Sequence, residues 1–195
     1  MLGAIILAPG FKPFNPQTYE TYGYGKHPNV ISSMEFERIL SASGPYGGHL
    51  VRPSDGKEPR SIAFLQCVGS RDTQRGAHGY CSGVCCMYAI KEAVIAKEHS
   101  KEDLDTTIFF MDMRTYGKEF ERYYQRAESE NGVNFVRSRV HSVEASTVDA
   151  NQLTIAYADD SGQMQGADFD LVVLSVGLEI PREVKELAER IGIQT

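Results

Sequence analysis

The sequence predicts an α/β protein, a Rossmann-like three-layer domain with a parallel sheet and a small antiparallel β-meander. Through the middle of the chain, segments rich in β-branched and aromatic residues alternate with segments of helical periodicity. A later stretch alternates around a Gly-containing turn, and a continuous apolar run follows it. Strand–helix alternation is typical of parallel sheets with right-handed crossovers, whereas alternation around a turn is typical of a hairpin.

The first sixty residues are expected to hold one strand, two loops and one helix. The apolar run AIILAPGF at 4–11 predicts a buried strand that ends in a Pro-Gly pair. The stretch that follows is rich in Pro, Gly, Tyr and Asn and predicts an ordered loop. Ser32 and Glu35 have the spacing of a capping box, which predicts a helix over SSMEFERIL at 32–40.

The remaining elements follow one another with short connections. In chain order, we expect a strand at 61–66, a helix at 81–99, a strand at 106–113, a helix at 117–132, one or two short strands within 133–146, a hairpin around 160–162, an apolar strand at 170–177 and a helix that starts at Pro181.

Composition excludes two classes of protein. The formal charge of -6 lacks the basic excess of a nucleic-acid-binding surface. The sequence has no run of eighteen apolar residues, so no membrane span is predicted. The apolar N-terminus has no basic segment ahead of it and is not interpreted as a signal peptide, which favours a cytoplasmic protein with reduced thiols.

A dinucleotide fingerprint is not found where the fold would place it. After the strand at 61–66, a Rossmann domain carries G-x-G-x-x-G, but this chain has CVGSRD with Gly69 alone. Asp112, at the end of the next strand, lies too far along the chain for the usual ribose-binding acid, so we interpret it as a carboxylate that caps a turn. NAD(P) binding is therefore not expected.

All four cysteines lie in one strand-loop-helix unit. Cys67 is expected to end a strand, Cys81 to start a helix, Cys85 to lie one turn further on the same face, and Cys86 to be rotated by about 100°. Four thiols can hold an iron–sulfur cluster or zinc, or pack as small apolar residues. The residues alone leave these three interpretations open.

Several motifs resemble the A subunit of heterodisulfide reductase, an iron–sulfur flavoprotein of methanogens with relatives in sulfate reducers. They are FLQCVGSRD, GYCSGVCCMYAIKEA, NVISSMEFERILSASGP, VRPSDGKEP and DLVVLSVGLEIP. The full-length protein of that family resembles a thioredoxin-reductase-type flavoprotein with added ferredoxin modules. The resemblance implies that residues 1–195 are the NAD(P)-like domain of such a flavoprotein, divided into connections at 1–60, a core at 61–180 and a terminal helix at 181–195.

The resemblance also implies a set of site residues. Cys67, Cys81, Cys85 and Cys86 match the cysteines that hold a [4Fe–4S] cluster beside the flavin in the family. Lys91 matches a lysine near the flavin ring, where a cation would stabilise reduced flavin. The alternative for Lys91 is an ordinary solvated lysine.

Two further groups of residues are interpreted with less support from the motifs. Ala8, Pro9 and Gly10 match a turn that approaches FAD, although Pro9 replaces the family's threonine, and the alternative is a simple strand end. Three residues of the cysteine loop could offset cluster charge or simply be solvated, and we favour the second interpretation; they are Arg71, Arg75 and His78.

The implied function is electron transfer between FAD and the cluster, with flavin-based electron bifurcation in the whole flavoprotein of an anaerobe. Implied partners are other heterodisulfide reductase subunits and a hydrogenase or formate dehydrogenase, and the sequence leaves oligomerisation open. Residues 1–195 alone are expected to be catalytically inactive, because the first FAD fingerprint is not among them. The alternative is a non-catalytic docking scaffold with structural zinc or free thiols.

Overall fold

A computed structural model describes residues 3–73 and 76–194. Four α-helices are assigned in these residues: α1 (Ser33–Leu40), α2 (Cys85–His99), α3 (Phe120–Ser129) and α4 (Arg182–Arg190). The strands are β1 (Lys12–Pro13), β2 (Val30–Ser32), β3 (Ser61–Val68), β4 (Asp105–Phe110), β5 (Val133–Arg137), β6 (Ser142–Ala145), β7 (Leu153–Ala158), β8 (Met164–Phe169), β9 (Leu171–Val176) and β10 (Leu178–Glu179).

A five-stranded parallel sheet forms the centre of the molecule, in the order β2-β9-β3-β4-β5. Strand β9 lies between β2 and β3 and pairs in parallel with both, so that Val172 lies beside Val30 on one side and Ala63 on the other. Strands β3 and β9 are apolar along most of their length because helices cover one face of the sheet and strands the other. The predicted α/β class is confirmed.

Helices α1, α2 and α3 follow one another across one face of the sheet. The capping box predicted for α1 is present: the Ser32 hydroxyl accepts from the Glu35 amide at 3.3 Å, and the Ser32 amide donates to the Glu35 carboxylate at 2.7 Å. Beneath the helices, Phe36 of α1 packs edge-on against Phe64 of β3, with ring centroids 5.6 Å apart. Ile90 of α2 is fully buried in the same apolar cluster.

The opposite face of the sheet carries the predicted meander. Strands β6, β7 and β8 form a separate antiparallel sheet, and the β7–β8 hairpin turns at the expected residues. Ile155 and Phe169 from this sheet pack with Leu65 and Leu174 of the parallel sheet in a second apolar cluster. Side chains of β3 and β9 therefore alternate between the two clusters, which is the three-layer arrangement that the sequence predicts.

The expected first strand is wrong. Residues 4–11 form no strand in this structure and are exposed, with Ile5 and Ile6 at 76% and 94% exposure. A strand needs a partner edge, and among the described residues none pairs with this run; only Lys12 and Pro13, just beyond it, pair with β10. The prediction of a buried strand at 4–11 rests on apolar composition alone.

The helices of the described residues include none that is both long and apolar enough to cross a membrane.

Candidate functional site

Cys67 lies in a bulge near the end of β3. The pairing of β3 with β9 shifts register between Leu65 and Val68, and the Cys67 backbone has a φ of 62°. A bulge places an extra residue on one strand and re-aims its side chain. The sequence predicts that the strand stops at Gln66, before this bulge. The residue pattern gives no sign that the strand continues through a residue with a left-handed backbone.

The loop after Cys67 folds back on itself. The Arg71 amide donates to the Tyr80 carbonyl at 2.9 Å, and the Asp72 amide donates to the His78 carbonyl at 3.1 Å. These bonds bring the two ends of the loop together, so Cys81 follows closely on a chain that has returned to Cys67. Cys67 and Cys81, which are well separated in the sequence, are thereby brought near each other in the structure.

Glycines at two points let this loop lie against its neighbours. A Cβ on Gly69, whose φ is 80°, would lie 2.1 Å from the Phe14 ring. A Cβ on Gly177 would lie 2.2 Å from the Ser70 hydroxyl, which in turn is 2.8 Å from the Ser82 hydroxyl. Phe14 therefore occupies the space above the single glycine of the CVGSRD turn.

The predicted helix start at Cys81 is wrong. Helix α2 begins at Cys85, and residues 81–84 are non-helical and bend at Gly83, which has a φ of 72°. Left-handed backbone at Gly83 is incompatible with a continuous helix, so Cys81 and Cys85 do not lie on one helical face. Instead the Cys81 sulfur accepts from the Gly83 amide at 3.4 Å.

The adjacent cysteines at the start of α2 face different strands. The Cys85 thiol donates to the Val176 carbonyl at the end of β9, with a sulfur–oxygen distance of 3.6 Å. The Cys86 thiol lies 4.0 Å from the Asp112 carbonyl oxygen, beyond the end of β4. Both cysteines are buried, and both sit at the carboxyl edge of the parallel sheet, as Cys67 does.

The thiols of this cluster affect one another electrostatically. Burial, with a smaller contribution from the neighbouring cysteines, raises the pKa of Cys67 to about 11 and the pKa of Cys85 to about 12. Burial also raises the pKa of Cys86. These thiols are therefore neutral at pH 7 in the metal-free protein, and metal binding would displace their protons.

Sequence reasoning missed an ion-pair network beside the cysteines. Asp112 was interpreted as a cap for a turn, but its carboxylate pairs with the Arg71 guanidinium and, at 3.3 Å, with Arg114. The His78 ring lies 3.0 Å from the Glu179 carboxylate, so it too is held rather than freely solvated. Arg75 lies outside the described residues. No local signal marks the Arg71–Asp112 pair, because its members are far apart in the chain.

Four thiolates are a donor set that suits either an iron–sulfur cluster or a single zinc ion. A tetrahedral zinc–thiolate site, with Zn–S bonds of about 2.3 Å, needs sulfurs only about 3.8 Å apart. Within residues 3–73 and 76–194, no three His, Cys, Asp or Glu side chains are gathered in a way that would hold a metal ion. Each thiolate of a [4Fe–4S] cluster binds a different iron, so the cluster takes four sulfurs that are more widely spaced.

The residues expected at the flavin lie in two separate places. Lys91 is an exposed residue of α2, and its ammonium lies 3.7 Å from the Glu37 carboxylate. It lines two cavities of about 550 and 640 Å³, whose walls contain none of residues 8–10. Ala8, Pro9 and Gly10 are exposed and belong to no helix or strand; Gly10 has a φ of 79°.

Comparison with known proteins bears directly on these motifs. No family model matches the chain. A Methanopyrus kandleri protein, named as the second iron-sulfur A subunit of CoB–CoM heterodisulfide reductase, is 44% identical over 190 residues, which cover 97% of the chain. A Methanococcus maripaludis protein, named as the A subunit of an H2/formate:CoB-CoM heterodisulfide,ferredoxin reductase, is 44% identical over 193 residues, 98% of the chain. Over nearly its whole length, the chain is similar to heterodisulfide reductase A subunits.

The match covers only part of each relative. The chain spans 28% of the Methanopyrus kandleri protein and 29% of the Methanococcus maripaludis protein. Among solved structures, 2-naphthoyl-CoA reductase matches 92% of the chain and 21% of its own length, with a TM-score of 0.52 and 12% identity. At that identity the likeness concerns the fold alone, and it agrees with the three-layer architecture.

Proposed function

We propose that this segment of a heterodisulfide reductase A subunit transfers electrons between FAD and a [4Fe–4S] cluster held by Cys67, Cys81, Cys85 and Cys86. The observation that carries the proposal is that four cysteines, from a strand bulge, a loop and a helix start, lie near enough at one edge of the sheet to act on one another electrostatically. The names of the relatives, which include iron-sulfur subunits, support the same assignment.

The chain's own residues would hold and insulate the group. When bound, a [4Fe–4S] cluster supplies a one-electron carrier. Burial of Cys85 and Cys86 keeps water from the sulfurs on the side of the sheet. The thiol protons of Cys85 and Cys86, which face the Val176 and Asp112 carbonyls, would be displaced if these sulfurs held iron.

Lys91 is the residue that we assign to the flavin side. It follows Cys86 along α2, and its exposed ammonium forms a surface ion pair with the exposed Glu37 carboxylate, which leaves it able to turn towards a ligand. A cation beside the ring would stabilise reduced, anionic flavin. Residues 8–10 would approach FAD only in a longer polypeptide that supplies the rest of its binding site.

For the whole protein we propose an oxidoreductase with flavin-based electron bifurcation. Relatives are named as reductases of the CoB-CoM heterodisulfide and ferredoxin, with H2 or formate as the other reactant. The corresponding partners here are the other heterodisulfide reductase subunits and a hydrogenase or formate dehydrogenase, in the cytoplasm of an anaerobe. This segment would connect the flavin to the iron–sulfur chain.

The test is the metal content of protein purified without oxygen. We expect about four irons and four sulfides per chain, with the visible absorption of thiolate–iron bonds. Cys81→Ser and Cys85→Ser should each lose most of this iron. Met87→Leu, which removes a thioether from the same helix but no thiol, should keep it.

A docking scaffold with structural zinc would give a different result. Colourless anaerobic protein with one zinc per chain, lost equally on Cys81→Ser and Cys85→Ser substitution, would overturn the electron-transfer proposal.

A further inference from the structure

Arg71 is held in a fixed position beside the cysteines. Its backbone has a φ of 57°, which is uncommon for a residue with a side chain, and its amide is bonded to the Tyr80 carbonyl at 2.9 Å. Its side chain is only 24% exposed, although it lies in a loop rich in polar residues. A strained, half-buried arginine is not an ordinary solvated loop residue.

Asp112 orients this arginine. The Asp112 carboxylate binds Arg71 through one oxygen and lies 3.3 Å from Arg114 through the other. The main-chain carbonyl of Asp112 is also the group that faces the Cys86 thiol hydrogen, at 4.0 Å from the sulfur. Asp112 therefore joins the arginine side chains to the cysteine at the start of α2.

The charge of Arg71 also acts on the thiol on the other side of the cluster. Burial raises the pKa of Cys67, and the positive charge of Arg71 opposes that effect. Arg71 therefore lies within electrostatic range of Cys67 and is joined, through Asp112, to the loop that faces Cys86.

We propose that Arg71, oriented by Asp112, is a positioning residue that sets the reduction potential of the group bound by the four cysteines. This inference rests on the proposed function, because it concerns how easily that group accepts an electron. Cation placement and hydrogen bonds to ligand sulfurs are among the principal means by which proteins tune iron–sulfur potentials.

The direction of the effect follows from charge. Reduction adds one negative charge to the cluster, and a guanidinium fixed by Asp112 beside the ligand cysteines stabilises that charge. Asp112 offsets part of the benefit, so the net effect is moderate. We expect loss of Arg71 to shift the ratio of reduced to oxidised cluster, at a fixed solution potential, about tenfold towards the oxidised form, which is about 59 mV for one electron.

The experiment compares substitutions in protein purified without oxygen, by redox titration followed through the electron paramagnetic resonance of the reduced cluster. Arg71→Met should keep its iron and show the tenfold shift. Arg71→Lys, which keeps the charge but not the planar fork, should show a smaller shift. Arg137→Met removes the same charge at an exposed site bonded to the Met111 carbonyl, and should leave the potential unchanged.

Each outcome bears on the inference separately from the proposed function. Full iron in Arg71→Met with the potential of Arg137→Met overturns the role of Arg71 and leaves the cluster assignment intact. If Arg71→Met takes up no iron, restored loading in Arg71→Lys supports the role, and an equally empty lysine variant overturns it. If the unsubstituted protein binds no iron, the proposed function fails first and the inference fails with it.

Discussion

Two buried acids, in different regions of the molecule, differ in their hydrogen-bond partners. Asp170, just before β9, is 7% exposed and accepts from the Arg52 guanidinium at 3.2 Å, the Arg60 amide at 2.7 Å and the Gln152 amide at 3.3 Å. Glu92, on α2, is 5% exposed, and its Oε2 has no hydrogen-bond partner among the described residues.

The difference shows that partners, not burial, decide whether a buried acid carries its charge. Asp170 forms an ion pair with Arg52, and both side chains are about one-tenth exposed. Burial, and then the charge of Glu37, raise the pKa of Glu92 to about 9 against a smaller opposing effect of Lys91. Glu92 is therefore a neutral acid at pH 7, and the protein carries an uncompensated cost at this site.

The largest effect is expected at Asp170. Asp170→Asn should lower the free energy of unfolding by about 3 kcal/mol, because it removes one of the two carboxylates that pair with the buried Arg52 guanidinium, Asp55 being the other. The asparagine NH2 group would also have to face either the Arg52 guanidinium or the Arg60 amide, both of which are donors. Urea denaturation followed by circular dichroism measures the loss. Asp168→Asn, two residues away on exposed β8, should cost about 0.5 kcal/mol or less. Equal losses of unfolding free energy at the two positions would show that the contacts of Asp170 stabilise the protein no more than those of an exposed acid.

Glu92 should respond in the opposite direction. Glu92→Gln should raise the free energy of unfolding by about 2 kcal/mol at pH 7, because the unfolded state no longer gains from ionisation of this group. Glu98→Gln, on the exposed face of the same helix, should change stability by no more than about 0.5 kcal/mol. A destabilised Glu92→Gln protein would contradict the assignment of Glu92 as a neutral acid.

The advantage of Glu92→Gln should depend on pH in a defined window. Below the ordinary pKa of 4.5 both states of the original protein are protonated, and the advantage disappears. As pH rises from 4.5 to about 9, only the unfolded state ionises, so the original protein loses stability by up to about 1.4 kcal/mol per pH unit. Denaturation of both proteins across this window isolates the effect; a difference that stays constant with pH would assign it to packing.

The smallest predicted effect extends the comparison to hydroxyl groups. Thr106 in β4 is fully buried, and its Oγ1 has no hydrogen-bond partner among the described residues. Thr106→Val should stabilise the protein by about 1 kcal/mol, since it removes an unsatisfied group at nearly constant volume. Thr154→Val removes a hydroxyl that donates to Asp168, and should be neutral or destabilising. Thermal denaturation of both variants measures the two changes in stability. If Thr154→Val were the stabilised variant and Thr106→Val the destabilised one, the interpretation would be wrong.

Elements with strong local signals could be predicted from the sequence. The apolar run of β9, the capping box at Ser32 and Glu35, and the hairpin between β7 and β8 depend on residues close together in the chain. The choice of cysteines as the candidate site also rested on residue type and spacing. Each of these signals is complete within a few residues, so tertiary contacts did not need to be known.

The parts that failed depend on distant contacts or on single backbone angles. The run at 4–11 has apolar composition but no partner edge among the described residues. Gly83 delays the start of α2 by one turn, and the bulge at Cys67 lengthens β3. Arg71 is interpreted from the sequence as a solvated loop residue, and only packing against another segment reveals that Asp112 holds it. The burial of Glu92 likewise depends on packing that no local pattern shows.

The direct adjacency of Cys85 and Cys86 restricts how the length of α2 can change. Each added residue turns a helix by about 100°, and the buried face of α2 fixes its rotation at Ala89, Ile90 and Ala93. An insertion or deletion between Cys86 and Ala89 would therefore swing both sulfurs away from their carbonyls, whereas one in the exposed β7–β8 turn would move neither. The number of residues between Cys86 and Ala89 is therefore more tightly constrained than the identity of those residues.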